Sequence, residues 1–165
     1  MHLRFNADRL SPDIMANNLD YLLERQISLQ WRGVLLALAE EFEAQIGHDE
    51  LRQLMHRVGQ RFAAAHPLGD CATTAELAGA LNACWQHTDW GFVELTDEPE
   101  YLRIVHHCAP LLAFGPTALA WTPAFLEGSY QGWLSELGAQ GLRVAQAGEF
   151  DANASVEFRL GRYPV

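Results

Sequence analysis

Apolar positions along this chain recur with a helical period up to about residue 90 and mostly with a period of two afterwards. Met15, Leu19, Leu22 and Ile27 predict a first helix over about 12–27, with Ser11-Pro12 as N-cap and first helical position. Leu35, Leu38, Phe42 and Ile46 predict a second, over about 31–46, stopped or kinked at Gly47. Leu51, Leu54, Met55, Val58, Phe62 and Ala65 give the cleanest stripe, over about 49–65. Thr73 and Glu76 have the spacing of a capping box and open a fourth helix whose expected buried side is Leu77, Leu81, Cys84, Trp85 and Thr88. Then the period changes. Residues 91–96 and 101–107 read as the strands of a hairpin around Asp97-Glu98-Pro99-Glu100. A Gly/Pro-containing loop over 109–120 follows. Strands are expected again at 142–147 and 155–161, the last with Val156, Phe158 and Leu160 on one face and Glu157 and Arg159 on the other.

Between the hairpins lies the most unusual stretch, Trp121 to Gly138. Leu126, Tyr130, Trp133 and Leu137 form one helical stripe, widened by Trp121, Phe125 and Leu134. Gly128, Gly132, Ser135 and Ala139 form a second stripe that carries almost no side chain. Each glycine inside a helix costs about 0.5–1 kcal/mol relative to alanine, so something is expected to pack very close to the bare face. Two partners are open, the protein's own sheet or the same helix of another copy. The resulting fold class is α+β: N-terminal helices plus one long aromatic/Gly helix packed on an antiparallel sheet of about four strands. Residues 1–30 read as an arm and short helix, and residues 31–165 as a single domain.

Composition narrows the function. With 165 residues, 49% of them hydrophobic, and five Trp, the chain has material for one proper core. All eleven basic residues are Arg, which excludes a lysine Schiff base and a P-loop. A net charge of −10 argues against nucleic acid and anionic lipid as partners. No segment approaches the ~20 apolar residues of a membrane span, so no membrane insertion is expected. MHLRFNADRL lacks the apolar region of a secretory signal. Cys71, Cys84 and Cys108 have no framework spacing and suit a reducing compartment.

His106, His107 and Cys108 are the one local cluster of metal-type side chains. In a strand, His106 and Cys108 share a face while His107 points away, and no C-x-x-C or H-x-x-x-H completes a zinc set, so no metal or cofactor is expected. Glu127 is the one carboxylate in the aromatic helix. Glycan hydrolysis would need a second carboxylate, which the sequence does not identify, so its expected task is a hydrogen bond or ion pair to an Arg at an interface. With no phosphate loop, nucleophile elbow or Cys-His arrangement, the chain is not expected to be an enzyme. Of the tryptophans, Trp85 and Trp133 sit on apolar stripes and read as core. Trp90 and Trp121 lie at element edges and are more open to an interface or binding role.

Several strings together resemble the bacterial cellulose synthase D-subunit family, the cellulose synthase operon protein D family. They are Leu81-Asn82-Ala83, Trp90-Gly91, Leu102-Arg103-Ile104-Val105-His106, and Trp121, Pro123, Leu126-Glu127-Gly128, Tyr130 and Trp133, with weaker agreement at Ile46-Gly47 and Val58-Gly59. The resemblance implies a non-catalytic accessory subunit of cellulose biosynthesis. It implies a ring-like homo-octamer, a tetramer of dimers, that helps order nascent β-1,4-glucan chains, with other cellulose synthase subunits as partners. The family's glucan passages are lined partly by N-terminal segments, which here would be Met1, His2, Leu3, Arg4, Phe5 and Asn6. The N-terminus extends beyond the family's pattern, so these contacts do not carry over by position. Trp121, Glu127, Gly128, Gly132 and Trp133 would serve an oligomer interface or packing. The expected location is the cytoplasm beside the inner-membrane synthase, with the periplasm as the alternative. The order of elements also resembles small-molecule or haem-sensing domains related to four-vinyl reductase. Such a domain would hold its ligand between helices and sheet, on a His or Cys.

Overall fold

The computed structural model describes residues 12–162. Met1–Leu10 and Ser11 lie outside the described residues, as does the side chain of Met15. Five helices, α1 (Pro12–Arg25), α2 (Leu29–Gln45), α3 (His48–Ala65), α4 (Thr74–His87) and α5 (Ala124–Glu136), accompany four strands. The strands are β1 (Phe92–Asp97), β2 (Tyr101–His107), β3 (Arg143–Gln146) and β4 (Ser155–Gly161). They form one antiparallel sheet in the order β1-β2-β4-β3, so the two hairpins join through β2 and β4. The α+β reading holds. The 109–120 loop is more ordered than expected, with two 3₁₀ turns at Pro110–Phe114 and Thr117–Ala120.

Local chemistry sets several boundaries. Thr73 Oγ1 accepts the Glu76 backbone N–H at 3.1 Å, and Glu76 Oε2 accepts from Thr73 N at 3.2 Å, which starts α4 as the spacing predicts. Gly47 ends α2 by opening α3. Its φ is −70°, and Glu50 Oε2 accepts its N–H at 3.2 Å.

The alternation along β4 turns Val156, Phe158 and Leu160 inward, beside Ile104 and His106 of β2. On them lies the aromatic face of α5. Tyr130 packs on Phe158 at 5.8 Å between ring centroids. Trp85 of α4 meets His106, Trp133 and Tyr130 edge-on at 5.0, 5.1 and 5.8 Å. The helix–sheet interior is filled by these rings.

The bare face of α5 packs on neither expected partner. It lies against α3 of the same chain. A Cβ on Gly128 would run into the His56 carbonyl oxygen, and one on Gly59 into that of Phe125. A Cβ on Gly132 would stand 2.8 Å from the Ala63 methyl. The inward stripe of α3 is therefore Leu51, Met55, Gly59 and Ala63. This corrects the expectation for Val58 and Ala65, which are exposed. Burial there follows what α5 leaves room for, and small residues fit the closest approach. On α2, Leu35, Phe42 and Ile46 are half-buried and Ala39 is buried, whereas Leu38 is exposed. Leu22 of α1 is also exposed, while Leu19 and Ile27 are half-buried.

Candidate functional site

Helix α5 sits at the centre of the molecule, so the side chains singled out from the sequence are best located from it. Glu127 projects from its first turn toward α3 and β3. Its Oε2 is 3.2 Å from Arg52 Nη2 and accepts the Gln146 backbone N–H at 3.0 Å. Arg52 also donates to Gln146 Oε1 at 3.0 Å and to Ala120 O at 3.3 Å. The expected Arg partner of Glu127 is thus present, within one chain. Arg52 and Gln146 of this node line a surface groove of about 730 Å³ with Thr117, Leu119 and Phe150.

Trp121, expected to be open to an interface or binding role, is buried. Its Nε1 donates to Glu43 Oε1 at 2.8 Å, and Glu43 Oε2 accepts from the Thr117 hydroxyl at 3.1 Å. Those bonds tie α2 to the segment before α5. Trp133 is buried and donates to His66 O at 2.8 Å. Gly128 and Gly132 form the contact with α3 described above. Within the protomer, then, Gly128, Gly132 and Trp133 pack α5 on its neighbours, Glu127 links it to α3 and β3, and Trp121 is held by α2.

The His-His-Cys string is split by the strand geometry. His106 points into the core with no exposed surface. Its Nε2 lies 2.6 Å from Trp90 O, an acceptor, so Nε2 carries the proton. Nδ1 then accepts from the Tyr130 hydroxyl at 2.6 Å. Burial lowers the His106 pKa to about 4, against the Trp90 bond, which raises it, and reinforced by His107, which lowers it. The ring is neutral, and both nitrogens are engaged. Burial also holds the Tyr130 phenol well above its usual pKa. His107 faces the other way, 2.7 Å from Ser155 Oγ and 3.3 Å from Glu94 Oε2. Cys108 leaves the strand at φ 58°, its thiol pKa raised by burial. Among the described residues, no group of three or more His, Cys, Asp or Glu is gathered as a metal would need.

Two side chains that sequence reasoning did not single out for a role close the sheet edges. Asn82 of α4 pairs with the open edge of β1, its Nδ2 donating to Val93 O at 2.9 Å and its Oδ1 accepting from Val93 N at 2.7 Å. At the opposite edge, Gln131 Oε1 accepts from Val144 N at 2.8 Å, next to the Glu127–Gln146 bond. Helix side chains thus occupy backbone groups that would otherwise template another strand. The signal for Asn82 was its position on a helix just before a strand. Gln131 carried none, because exposed glutamines on helices are common.

Large exposed apolar side chains are concentrated on the first two helices, Tyr21 and Leu22 on α1 and Leu29, Trp31, Val34, Leu36 and Leu38 on α2. Trp31, at 55% exposure, contrasts with the buried Trp85, Trp121 and Trp133. Among the described residues no helix is long and apolar enough to cross a membrane. The six N-terminal residues expected to contact glucan, Met1 to Asn6, lie outside the described residues.

Comparison with known proteins places these features. A family model for the D subunit of cellulose synthase matches residues 17–161. No curated protein matches the chain. Among solved structures, a trafficking protein particle complex subunit 3 from Naegleria fowleri, covalently bound to palmitic acid, is similar in fold. It has a TM-score of 0.53 and 14% identity, covering 90% of this chain and 96% of that one. A vinyl-4-reductase family protein from Methanocaldococcus jannaschii aligns with a TM-score of 0.49 and 14% identity, covering 98% and 99%.

Proposed function

Because the chain belongs to the cellulose synthase D-subunit family, we propose that it is a non-catalytic accessory subunit of bacterial cellulose synthesis that assembles into a ring and helps order emerging glucan chains. The observation that carries this reading is the family match, which runs from α1 to the end of β4. The assembly we propose is an octamer built as a tetramer of dimers, next to the other synthase subunits on the cytoplasmic side of the inner membrane. The glucan is held by confinement and by polar contacts to its hydroxyls, with the N-terminal arm as a contributor. Low affinity suits this task, because a chain under export has to keep moving.

The physical features agree with such a role. His106, the buried histidine of the core, is held at both ring nitrogens, by Tyr130 and by the Trp90 carbonyl. The apolar surface is concentrated on α1 and α2, where a subunit contact would use it. The sensor-type alternative requires space between helices and sheet for a ligand. That space is occupied by Trp85, Tyr130, Trp133 and Phe158.

The test is genetic and physical. In a cellulose-producing cell, loss of this protein is expected to lower fibril crystallinity, read by X-ray diffraction. The glucan-forming rate of isolated synthase membranes should be unchanged. A lost synthase rate with unchanged crystallinity would refute the accessory reading. Deleting residues 1–10 separates the arm's role, since crystallinity falls only if the arm contacts glucan. Fractionation against markers of cytoplasm and periplasm decides the location.

A further inference from the structure

The exposed apolar surface of α2 has a definite pattern. Trp31, Val34 and Leu38 stand at i, i+3 and i+7, the spacing of a coiled-coil seam, beside the half-buried Leu35 and Phe42. Helix α1 shares only slight contact with any other described element, and α2 rests mainly on the 110–114 turn. A 14-residue helix is marginal alone in water, so α1 depends on packing against its surroundings. We propose that α2 pairs, antiparallel and about a two-fold axis, with α2 of a second copy of this chain. This deepens the ring-assembly reading above and rests on it.

Charge and symmetry favour a second copy. On α2, Leu29, Trp31, Val34 and Leu38 present on the order of 450 Å², about half of the ~800 Å² per partner of a standard stable interface, and the exposed Leu22 and Tyr21 of α1 lie near them in sequence. The chain carries a net charge of −10, so most contacts between copies would set acid against acid. This one does not. With Trp31 opposite Leu38 of the partner, Glu40 falls opposite Leu29 and Arg32 opposite Ala37. Glu41 falls opposite Ser28, in the link to α1, and Glu43 is turned inward to Trp121 and Thr117 of its own chain, so no acid of one α2 meets an acid of the other. An isologous contact of this kind is self-complementary, and it closes a dimer from which a larger ring can be built.

The experiment uses the full chain. Wild type, Val34→Glu/Leu38→Glu and a control, Val58→Glu on α3, are compared by size-exclusion chromatography with light scattering. In parallel, Val34→Cys and Val58→Cys are oxidised and run on a non-reducing gel. The seam variant is expected to fall to half the wild-type mass or less while Val58→Glu keeps it. Val34→Cys is expected to give a covalent dimer at least tenfold faster than Val58→Cys. Should the charged pair prevent folding, the cysteine comparison decides alone. Cross-linking at Val34 no faster than at Val58 overturns the seam but leaves an oligomeric wild type and the ring reading standing. A wild type that is monomeric at every concentration overturns both.

Discussion

Replacing Gly128 with alanine would set a methyl group against the backbone of α3. The Cβ would overlap the His56 carbonyl oxygen and lie 2.7 Å from its carbon, and neither atom can rotate aside. Relief requires α3 and α5 to separate, which pulls Phe125, Trp133 and Ala63 out of contact with their neighbours. Overpacking a tight core costs about 1–3 kcal/mol and sometimes more. Alanine's better helix propensity returns about 1 kcal/mol. Because the obstacle is backbone, the upper part of the overpacking range applies, and a net loss of about 2 kcal/mol is expected. For a chain of this length that lowers Tm by roughly 4–8 °C. Gly59→Ala should behave alike, since its Cβ meets the Phe125 carbonyl oxygen from the other side. Gly79→Ala is the control. It is helical and exposed, with nothing within 4 Å of the new methyl, so it should gain about 0.5–1 kcal/mol. Thermal unfolding followed by circular dichroism, with urea titration at equal protein concentration, measures all three. Gly128→Ala as stable as wild type would refute the packing argument. A variant that lost oligomer mass but kept the protomer's stability would move the glycine face to a subunit contact.

Three further outcomes are expected. His106 has a pKa lowered from 6.5 to about 4, so the unfolded chain binds the extra proton between those values; stability is full above pH 6.5 and declines as pH falls toward 4, by roughly 3 kcal/mol from this group. Urea midpoints at pH 7 and 4.5 should show that decline in wild type and much less of it in His106→Gln, and parallel behaviour of the two would sink the assignment. Asn82→Ala strips the Val93 N–H and C=O of their partners, which should cost about 1–3 kcal/mol and increase aggregation through the freed β1 edge, read by urea titration and light scattering. Glu127→Gln keeps an acceptor for Gln146 N and loses only the charge facing a partly exposed Arg52, so it should cost less than about 1 kcal/mol in urea titration, with Glu127→Ala costing more; equal losses would show that the ion pair dominates.

The sheet and helices were legible from residues 31 to 161 because their signals are local. The Thr73/Glu76 capping box needs only four residues, and alternation along β2 and β4 is fixed by the pleat. The strand ends at 101, 107, 155 and 161 are where the sequence places them. The site was legible in part. Tyr130 and Trp133 announced a buried face by their spacing, and Glu127 announced an Arg partner by its isolation, but nothing in the sequence identified Arg52. Trp121 runs against its sequence signal, because a tryptophan at an element edge is buried or open depending on a distant residue, here Glu43 of α2.

By itself the sequence determined the elements, the α+β class, and the string of aromatic and glycine positions that marks the family. Tertiary structure alone decided what the glycine face touches. Its complement is Gly59 and Ala63, more than 60 residues earlier, and small residues leave no hydrophobic signal by which to match two helices. It also decided which apolar stripes stay exposed. Periodicity gives a helix its apolar sector but not the width a neighbour covers, so Leu38 and Val58 continue their stripes in sequence and lie outside the buried strip in space. The width of that strip depends on how closely two backbones approach, and for α3 and α5 the missing side chains of three glycines set that distance.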